Sequence, residues 1–405
     1  MRAAPILLTI LSVTALAPAA EALPRFAAKA SLRCRQCHVN PSGGGVRTRY
    51  GAETFAAMAL TLPEPEPADW TRAPEVEGAT FPLSGSVTDW LTIGGDLRAA
   101  FFLFSPSDPN AGADATRLTT TFFLMQADLY HAARLGSHLT LVLDIGVNSG
   151  FEAWALLEPW PTLEDTEVLI KVGRFLPALG LRTANHMLYT RQTVGLGSGQ
   201  QDTGVEVTVD ARHLALTLAL MNGTLGTPFD GTAEARGFDK AVIGRAAVRL
   251  RPGPLSVELG ASAGFNARTT RYNPIFEQAA DAGLAGVDEL RAGGFLMAGL
   301  GRFALLGDAV YVQDKLHGGG TTRRAWAGYV ELSARLIQGL DLLVGYERMD
   351  RDLDTAGGYV QRFSTAVELF PWRFTELRVM ARYERGPGLG DASVFDLISF
   401  LHVYL

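Results

Sequence analysis

The 405-residue chain is 47% hydrophobic and 19% charged, with 36 Lys and Arg against 42 Asp and Glu and a formal net charge of -6. That balance offers no basic footprint for nucleic acid, and beyond the N-terminal leader no apolar stretch is long enough for a membrane-crossing helix, which excludes a helical membrane protein. The 44 glycines are scattered through alternating segments, which points to an all-β chain.

Residues 1–22 read as a secretory signal peptide. Arg2 supplies the positive start, Pro5 to Ala19 the apolar stretch and Ala20-Glu21-Ala22 an A-x-A cleavage site, so the mature chain is expected to begin at Leu23. The apolar run is too short to serve as an anchor.

Residues 23–62 carry the chemistry. Cys34-Arg35-Gln36-Cys37-His38 uses both cysteines of the chain. The CxxCH spacing lets each thiolate add across one vinyl group of a porphyrin while His38 turns its imidazole onto the iron. It therefore predicts one covalent haem c bound by Cys34, Cys37 and His38. A zinc or small redox site is the plainer reading of so short a pattern, but zinc needs further Cys or clustered His nearby. A disulfide closing this loop would stabilise little.

About 40 residues are too few to bury a core without a staple. The segment is expected to be a plug that enters the following wall from the periplasmic side, with the haem as its staple. Asn40-Pro41-Ser42-Gly43-Gly44-Gly45 either lets the backbone pass close to the porphyrin or forms a plain flexible loop. Arg33, Arg35, Arg47 and Arg49 suit haem propionates and lumen carboxylates equally.

The sixth iron ligand is open on sequence alone. Met58, the only Met or His of the plug after His38, is the leading candidate, with apolar packing as the alternative. His138, His213 and His402, which strand parity turns toward the lumen, are weaker candidates, as are His186 and Met187 in a long loop. His317, in a Gly-rich exterior loop, is a candidate contact for an external metal donor.

Residues 63–85 form an acidic linker, stiffened by Pro63-Glu64-Pro65-Glu66-Pro67. From 86 to 405, alternation dominates. Leu97, Ala99 and Phe101 oppose Asp96, Arg98 and Ala100; Leu141, Leu143, Ile145 and Val147 oppose Asp144 and Asn148; Leu332, Ala334 and Leu336 oppose Glu331 and Arg335; Leu377, Val379 and Ala381 oppose Glu376, Arg378 and Arg382. A soluble sandwich would bury the apolar face. A transmembrane barrel turns it to lipid and keeps the polar face inside.

Spacing favours the barrel, with about sixteen strands whose links alternate between tight and long. The tight links include Gly136-Ser137, Arg251-Pro252-Gly253-Pro254 and Gln338-Gly339, and the long ones include Phe175 to Thr203 and Asn266 to Leu290. Short turns belong to the periplasm, so an even strand number leaves both ends of the chain there. Val394 to Leu405 resembles the closing strand of outer-membrane proteins, although it ends in Leu405 and not in an aromatic residue. Val172 to Arg182 followed by Asp202 to Glu206 resembles the strand, inward-folding loop and next strand of phosphate-selective-type porins.

Ala22-Leu23-Pro24-Arg25-Phe26-Ala27 leading to the CxxCH of residues 34–38, ahead of a porin-like barrel, resembles the fused monohaem cytochrome-porins of the outer membrane, best known from iron-oxidising bacteria. The chain departs from them after the motif, with Arg49-Tyr50-Gly51 where the iron oxidisers show a Pro-x-Leu-Asn-x-Phe-Gly arrangement. The resemblance implies electron passage across the outer membrane, with His38 as axial ligand and both cysteines as haem anchors. Its partners would be an extracellular donor or acceptor such as Fe(II), a periplasmic cytochrome or other soluble redox protein, and outer-membrane lipid. No side-chain catalytic site stands out, so any redox activity would belong to the haem. The competing reading is a diffusion porin whose haem segment is a gate, sensor or vestige, since Glu206, Arg245, Arg249, Glu258, Glu347, Arg362, Glu368 and Arg378 suit a hydrated pore as well as a plugged one. A third reading is a soluble exported β-sandwich carrying a chance CxxCH.

Overall fold

A computed structural model of the chain describes residues 24–63, 85, 87–105, 118–147, 150–160, 165–183, 185, 187–195, 200–223, 240–268, 287–316, 322–389 and 393–405. The signal peptide and nearly all of the acidic linker lie outside these residues, as do His186 and His317.

Sixteen strands form one closed antiparallel barrel. They are β1 (Leu91–Ser105), β2 (Thr119–Leu135), β3 (Leu139–Val147), β4 (Gly150–Leu157), β5 (Thr166–Phe175), β6 (Asp202–Ala211), β7 (Leu214–Met221) and β8 (Ala241–Leu250). The second half comprises β9 (Leu255–Arg268), β10 (Val287–Leu300), β11 (Phe303–Leu316), β12 (Thr322–Ile337), β13 (Leu340–Asp350), β14 (Tyr359–Leu369), β15 (Thr375–Arg385) and β16 (Ser393–Tyr404). Each strand pairs with its sequence neighbours, and β1 closes on β16 from Asp96↔Tyr404 to Ser105↔Phe395. Closure removes the exposed edges that an open sheet would present.

The period-2 pattern explains the sidedness. On β7, Leu214, Leu216, Leu218 and Leu220 stand exposed while Ala215, Ala219 and Met221 are buried inside. On β16, Phe395, Leu401 and Val403 face out against buried His402 and Tyr404. Leaving such side chains in water would forgo about 1.5–3 kcal/mol each. The outer belt is therefore a lipid-facing surface, and the soluble sandwich is overturned. Inside, the polar face pairs its charges: Lys171 Nζ lies 2.7 Å from Glu206, Arg291 Nη1 2.5 Å from Asp314, and Arg249 bridges Asp210 and Glu258.

The links β2–β3, β6–β7, β8–β9, β10–β11 and β12–β13 are short and lie at one mouth, where β1 begins and β16 ends. At the opposite mouth most links are long. The β3–β4 link breaks the expected alternation, since it lies at the long-loop mouth yet spans only residues 148–149. A second irregularity lies in the β1–β2 ladder, where Arg98 opposes Gln126 and Ala99 opposes Leu124, leaving Met125 unpaired as a β-bulge.

Among the described residues, two segments occupy the lumen. The loop after β5 folds inward as expected. Its Gly180 N–H donates to Ser262 Oγ at 2.8 Å, and its one short helix, α3 (Tyr189–Val194), packs on β11, β12 and β13. The N-terminal segment supplies α1 (Pro24–Ala30), α2 (Cys34–Cys37) and a wide π-helix, Tyr50–Ala59. α1 lies on β9, β10 and β11 so tightly that a Cβ on Gly299 would stand 2.0 Å from the Ala28 carbonyl oxygen.

Candidate functional site

The segment is locked to the short-turn half of the wall through side chains. Arg25 is buried and places Nη2 2.5 Å from Glu368 Oε1, with Glu331 3.6 Å from Nη1. Lys29 pairs with Asp341 at 2.9 Å, and the Gln338 side-chain amide donates to the Met58 and Thr61 carbonyls at 2.9 and 2.8 Å. Arg33 lies 3.8 Å from Asp210, Arg35 2.5 Å from Glu158, and Arg47 3.1 Å from Asp96, whereas Arg49 pairs at the surface with Glu53. Of the two roles open to these arginines, the contacts made are those to carboxylates of the protein.

The motif is a single helical turn. The i, i+3 spacing puts Cys34 and Cys37 on one face, the His38 N–H closes the turn onto the Cys34 carbonyl at 2.9 Å, and His38 then runs extended. Val39 N–H donates to the Val46 carbonyl at 3.0 Å, so residues 40–45 form a closed loop whose three glycines all have positive φ. A Cβ on Gly43 would lie 3.6 Å from Cys34 Sγ and one on Gly44 3.3 Å from the Arg182 guanidinium. The loop thus wraps the motif. Gly51 is demanded by space, because a Cβ there would stand 2.2 Å from the Cys37 carbonyl oxygen.

Cys34, Cys37 and His38 all line one internal cavity of about 250 Å³. Phe26, Phe55, Leu60 and Phe370 give it an apolar side. Opposite lies a polar network. Asp96 accepts from Arg47 and from the Tyr130 hydroxyl at 2.6 Å, while His402 stands between Asp96 at 3.1 Å and Glu376 at 2.9 Å. Arg33, Arg98 and Arg182 also reach the cavity.

His38 is 4% exposed, and neither ring nitrogen has a hydrogen-bond partner of normal geometry. Burial first, then the Arg47 charge, push its pKa down to about 3 against the opposing pull of the Gly45 backbone and Asp96. The ring is therefore neutral and offers a lone pair. Burial likewise pushes the Cys34 thiol pKa up, Glu258 adding to the shift and Arg245 and Arg249 opposing it. No disulfide joins the two sulfurs. A buried imidazole short of well-formed hydrogen bonds costs about 1–3 kcal/mol unless something engages it. Two sulfurs and a neutral imidazole facing a cavity with an apolar wall and several guanidinium groups fit a haem c. Among the described residues no group of three or more His, Cys, Asp or Glu is placed to hold a bare metal ion.

The other ligand candidates separate clearly. Met58 is 65% exposed and does not line the cavity, so the structure does not bring it to His38. His138 and His213 sit on the short turns, hydrogen-bonded to the Glu158 and Arg249 carbonyls. The Met187 sulfur accepts from Arg382 at 3.7 Å and lines a smaller neighbouring cavity of about 70 Å³. His402 does line the main cavity, with both nitrogens engaged. Sequence reasoning missed Met125, which lines both cavities. Its signal was the four-residue apolar run Phe122-Phe123-Leu124-Met125, which breaks the period of two.

No protein-family model and no curated relative matches the chain. Among solved structures it is similar to an anion-selective porin from Comamonas acidovorans, with a TM-score of 0.55 and 13% identity over 78% of this chain and 99% of that one. It is also similar to the outer membrane channel DcaP of Acinetobacter baumannii, with a TM-score of 0.54 and 13% identity over 78% of this chain and 97% of that one. OmpT of Vibrio cholerae matches with a TM-score of 0.51 and 13% identity over 78% of this chain and 99% of that one. At such identity the likeness establishes a porin-type barrel fold.

Proposed function

We propose that the chain is an electron conduit of the Gram-negative outer membrane, holding one haem c inside a porin-type barrel. The observation that carries this reading is the meeting of Cys34, Cys37 and the buried His38 imidazole at one internal cavity. When bound, the haem supplies one-electron redox chemistry at a potential set by its axial ligands and burial. The residues of the chain hold, orient and screen it. Cys34 and Cys37 anchor it, neutral His38 ligates the iron, and Phe26, Phe55 and Leu60 keep water from one side.

Short turns are periplasmic in bacterial barrels, so the mouth carrying exposed Met58 and Arg49 faces the periplasm. A soluble redox protein docks there. The long loops face an extracellular donor or acceptor, Fe(II) being one of the right chemistry. A barrel's apolar band is about 25 Å tall, more than one porphyrin spans, so a haem that Cys34, Cys37 and His38 would hold could reach only one rim. The inner loop and α1 both fill the lumen, which favours passage of electrons over passage of solutes.

The test is a redox-titrated absorption spectrum of the detergent-purified protein, with haem staining after denaturation. Covalent haem with a reversible spectrum is expected, and its loss in Cys37→Ala. A protein matured with the c-type machinery that carries no covalent haem rules the reading out. The lumen's paired charges favour a second reading, a diffusion porin gated by its N-terminal segment. Large steady conductance in planar bilayers would select it, whereas a closed barrel supports the conduit.

A further inference from the structure

We propose that the Met125 thioether is the iron ligand opposite His38, delivered to the site by the bulge in β2. This rests on the haem reading above.

The bulge is the starting point. Ala99↔Leu124 and Arg98↔Gln126 are paired residues, and paired residues share a face of the wall. Leu124 is exposed with the outward set, and Gln126 lines the cavity with the inward set. Strict alternation would give Met125 the inward place and send Gln126 out. The extra residue lets both reach the lumen, and bulges commonly re-aim a side chain beside a functional site. Met125 is flanked on this wall by Asp128 and Arg98, yet it presents an unbranched apolar side chain ending in a soft sulfur to the same cavity that His38, Cys34 and Cys37 line.

Elimination points the same way. Among the described residues lining the cavity, the side chains that carry a neutral sulfur, imidazole or phenol donor, apart from His38 and the two cysteines, are Met125, His402, Tyr130 and Tyr404. His402 would have to break from Asp96 or Glu376 and leave a buried carboxylate short of a partner. Tyr130 donates to Asp96. Tyr404 is packed under the Arg47 guanidinium and against Phe374. Met58 and Met187 lie outside this cavity. Thioether ligation donates a lone pair from sulfur, releases no proton and breaks no ion pair. A His/Met pair also sets a high potential relative to His ligation alone.

The experiment uses the full chain matured with covalent haem and purified in detergent, comparing wild type with Met125→Leu, Met125→His, Met58→Leu and His402→Gln. Heat-dependent gel mobility reports that each barrel is closed. Wild type is expected to show a low-spin ferric spectrum with the far-red sulfur-to-iron charge-transfer band. Met125→Leu should lose the band, bind carbon monoxide readily when reduced and shift to lower midpoint potential. Met125→His should stay low-spin without the band, and Met58→Leu should match wild type. Retention of the band in Met125→Leu overturns the inference. So does its absence from a wild type that carries covalent haem, or its loss in His402→Gln with Met125→Leu unchanged. A wild type with no covalent haem overturns the conduit reading itself, a distinct result.

Discussion

On β7 four leucines face lipid and every residue joins a continuous ladder from Leu214↔Val248 to Met221↔Ala241. In the segment of residues 24–62 the ladder shrinks to a single bridge, His38↔Arg47, and the connections to the wall include Arg25, Lys29, Arg33, Arg35 and Arg47 reaching carboxylates, beside a few hydrogen bonds such as Leu62 N–H to the Phe370 carbonyl. The wall is thus held by backbone hydrogen bonds and by the solvent it faces, the segment in large part by charges with assigned partners. Ladder bonds tolerate almost any outward apolar residue. A buried ion pair tolerates the loss of neither member. The two regions should therefore respond to mutation independently.

The sharpest separation is expected from Arg25→Ala, which removes the buried partner of Glu368 and Glu331. It should cost about 3 kcal/mol, the lower end for a broken buried pair because Arg378 still reaches Glu368 at 3.3 Å. The segment should become cleavable by protease while gel mobility still reports a closed barrel; loss of both together would break the comparison. Leu218→Arg attacks the other side, placing a cation in lipid at about 2–4 kcal/mol near the midplane. Urea titration of folding into bilayers should show that loss, with the segment's protease resistance unchanged in the molecules that do fold.

Gly51→Ala tests the interior of the segment alone. Its Cβ would overlap the Cys37 carbonyl, an overpacking cost of about 1–3 kcal/mol. Reduced haem incorporation at normal barrel yield is the expected outcome, and unchanged incorporation would show that the π-helix can shift aside. Glu53→Gln should be the quietest of the set, because its partner Arg49 is exposed at the surface. A measurable change in protease resistance would mean that the rim contributes more than its exposure indicates.

What the sequence made legible follows the same divide. Alternation in Leu97 to Phe101, or in Leu377 to Arg382, reports a wall whose two faces meet different solvents, so strand count, closure and sidedness could be read directly. The link after β5 was legible as long from its spacing, and its inward fold only through the resemblance of Val172 to Arg182 and Asp202 to Glu206 to phosphate-selective-type porins. The partners of the arginines were not, since Arg35 and Glu158 are 123 residues apart and nothing local links them. Met58 looked like a ligand because it was near in sequence, yet the π-helix turns it to the rim. Met125 stayed hidden because its meaning depends on a register slip, and register is a property of two strands.

Cys37 is 2% exposed, and it sits inside a wall that closes only when β1 meets β16, the first strand and the last. Any enzyme that joins a group to that sulfur is far too large to enter the finished lumen. On the haem reading proposed above, attachment would therefore have to precede docking of the segment in the lumen, making assembly a timed sequence in which the segment enters already loaded. A segment that docked before modification would be sealed in an empty form.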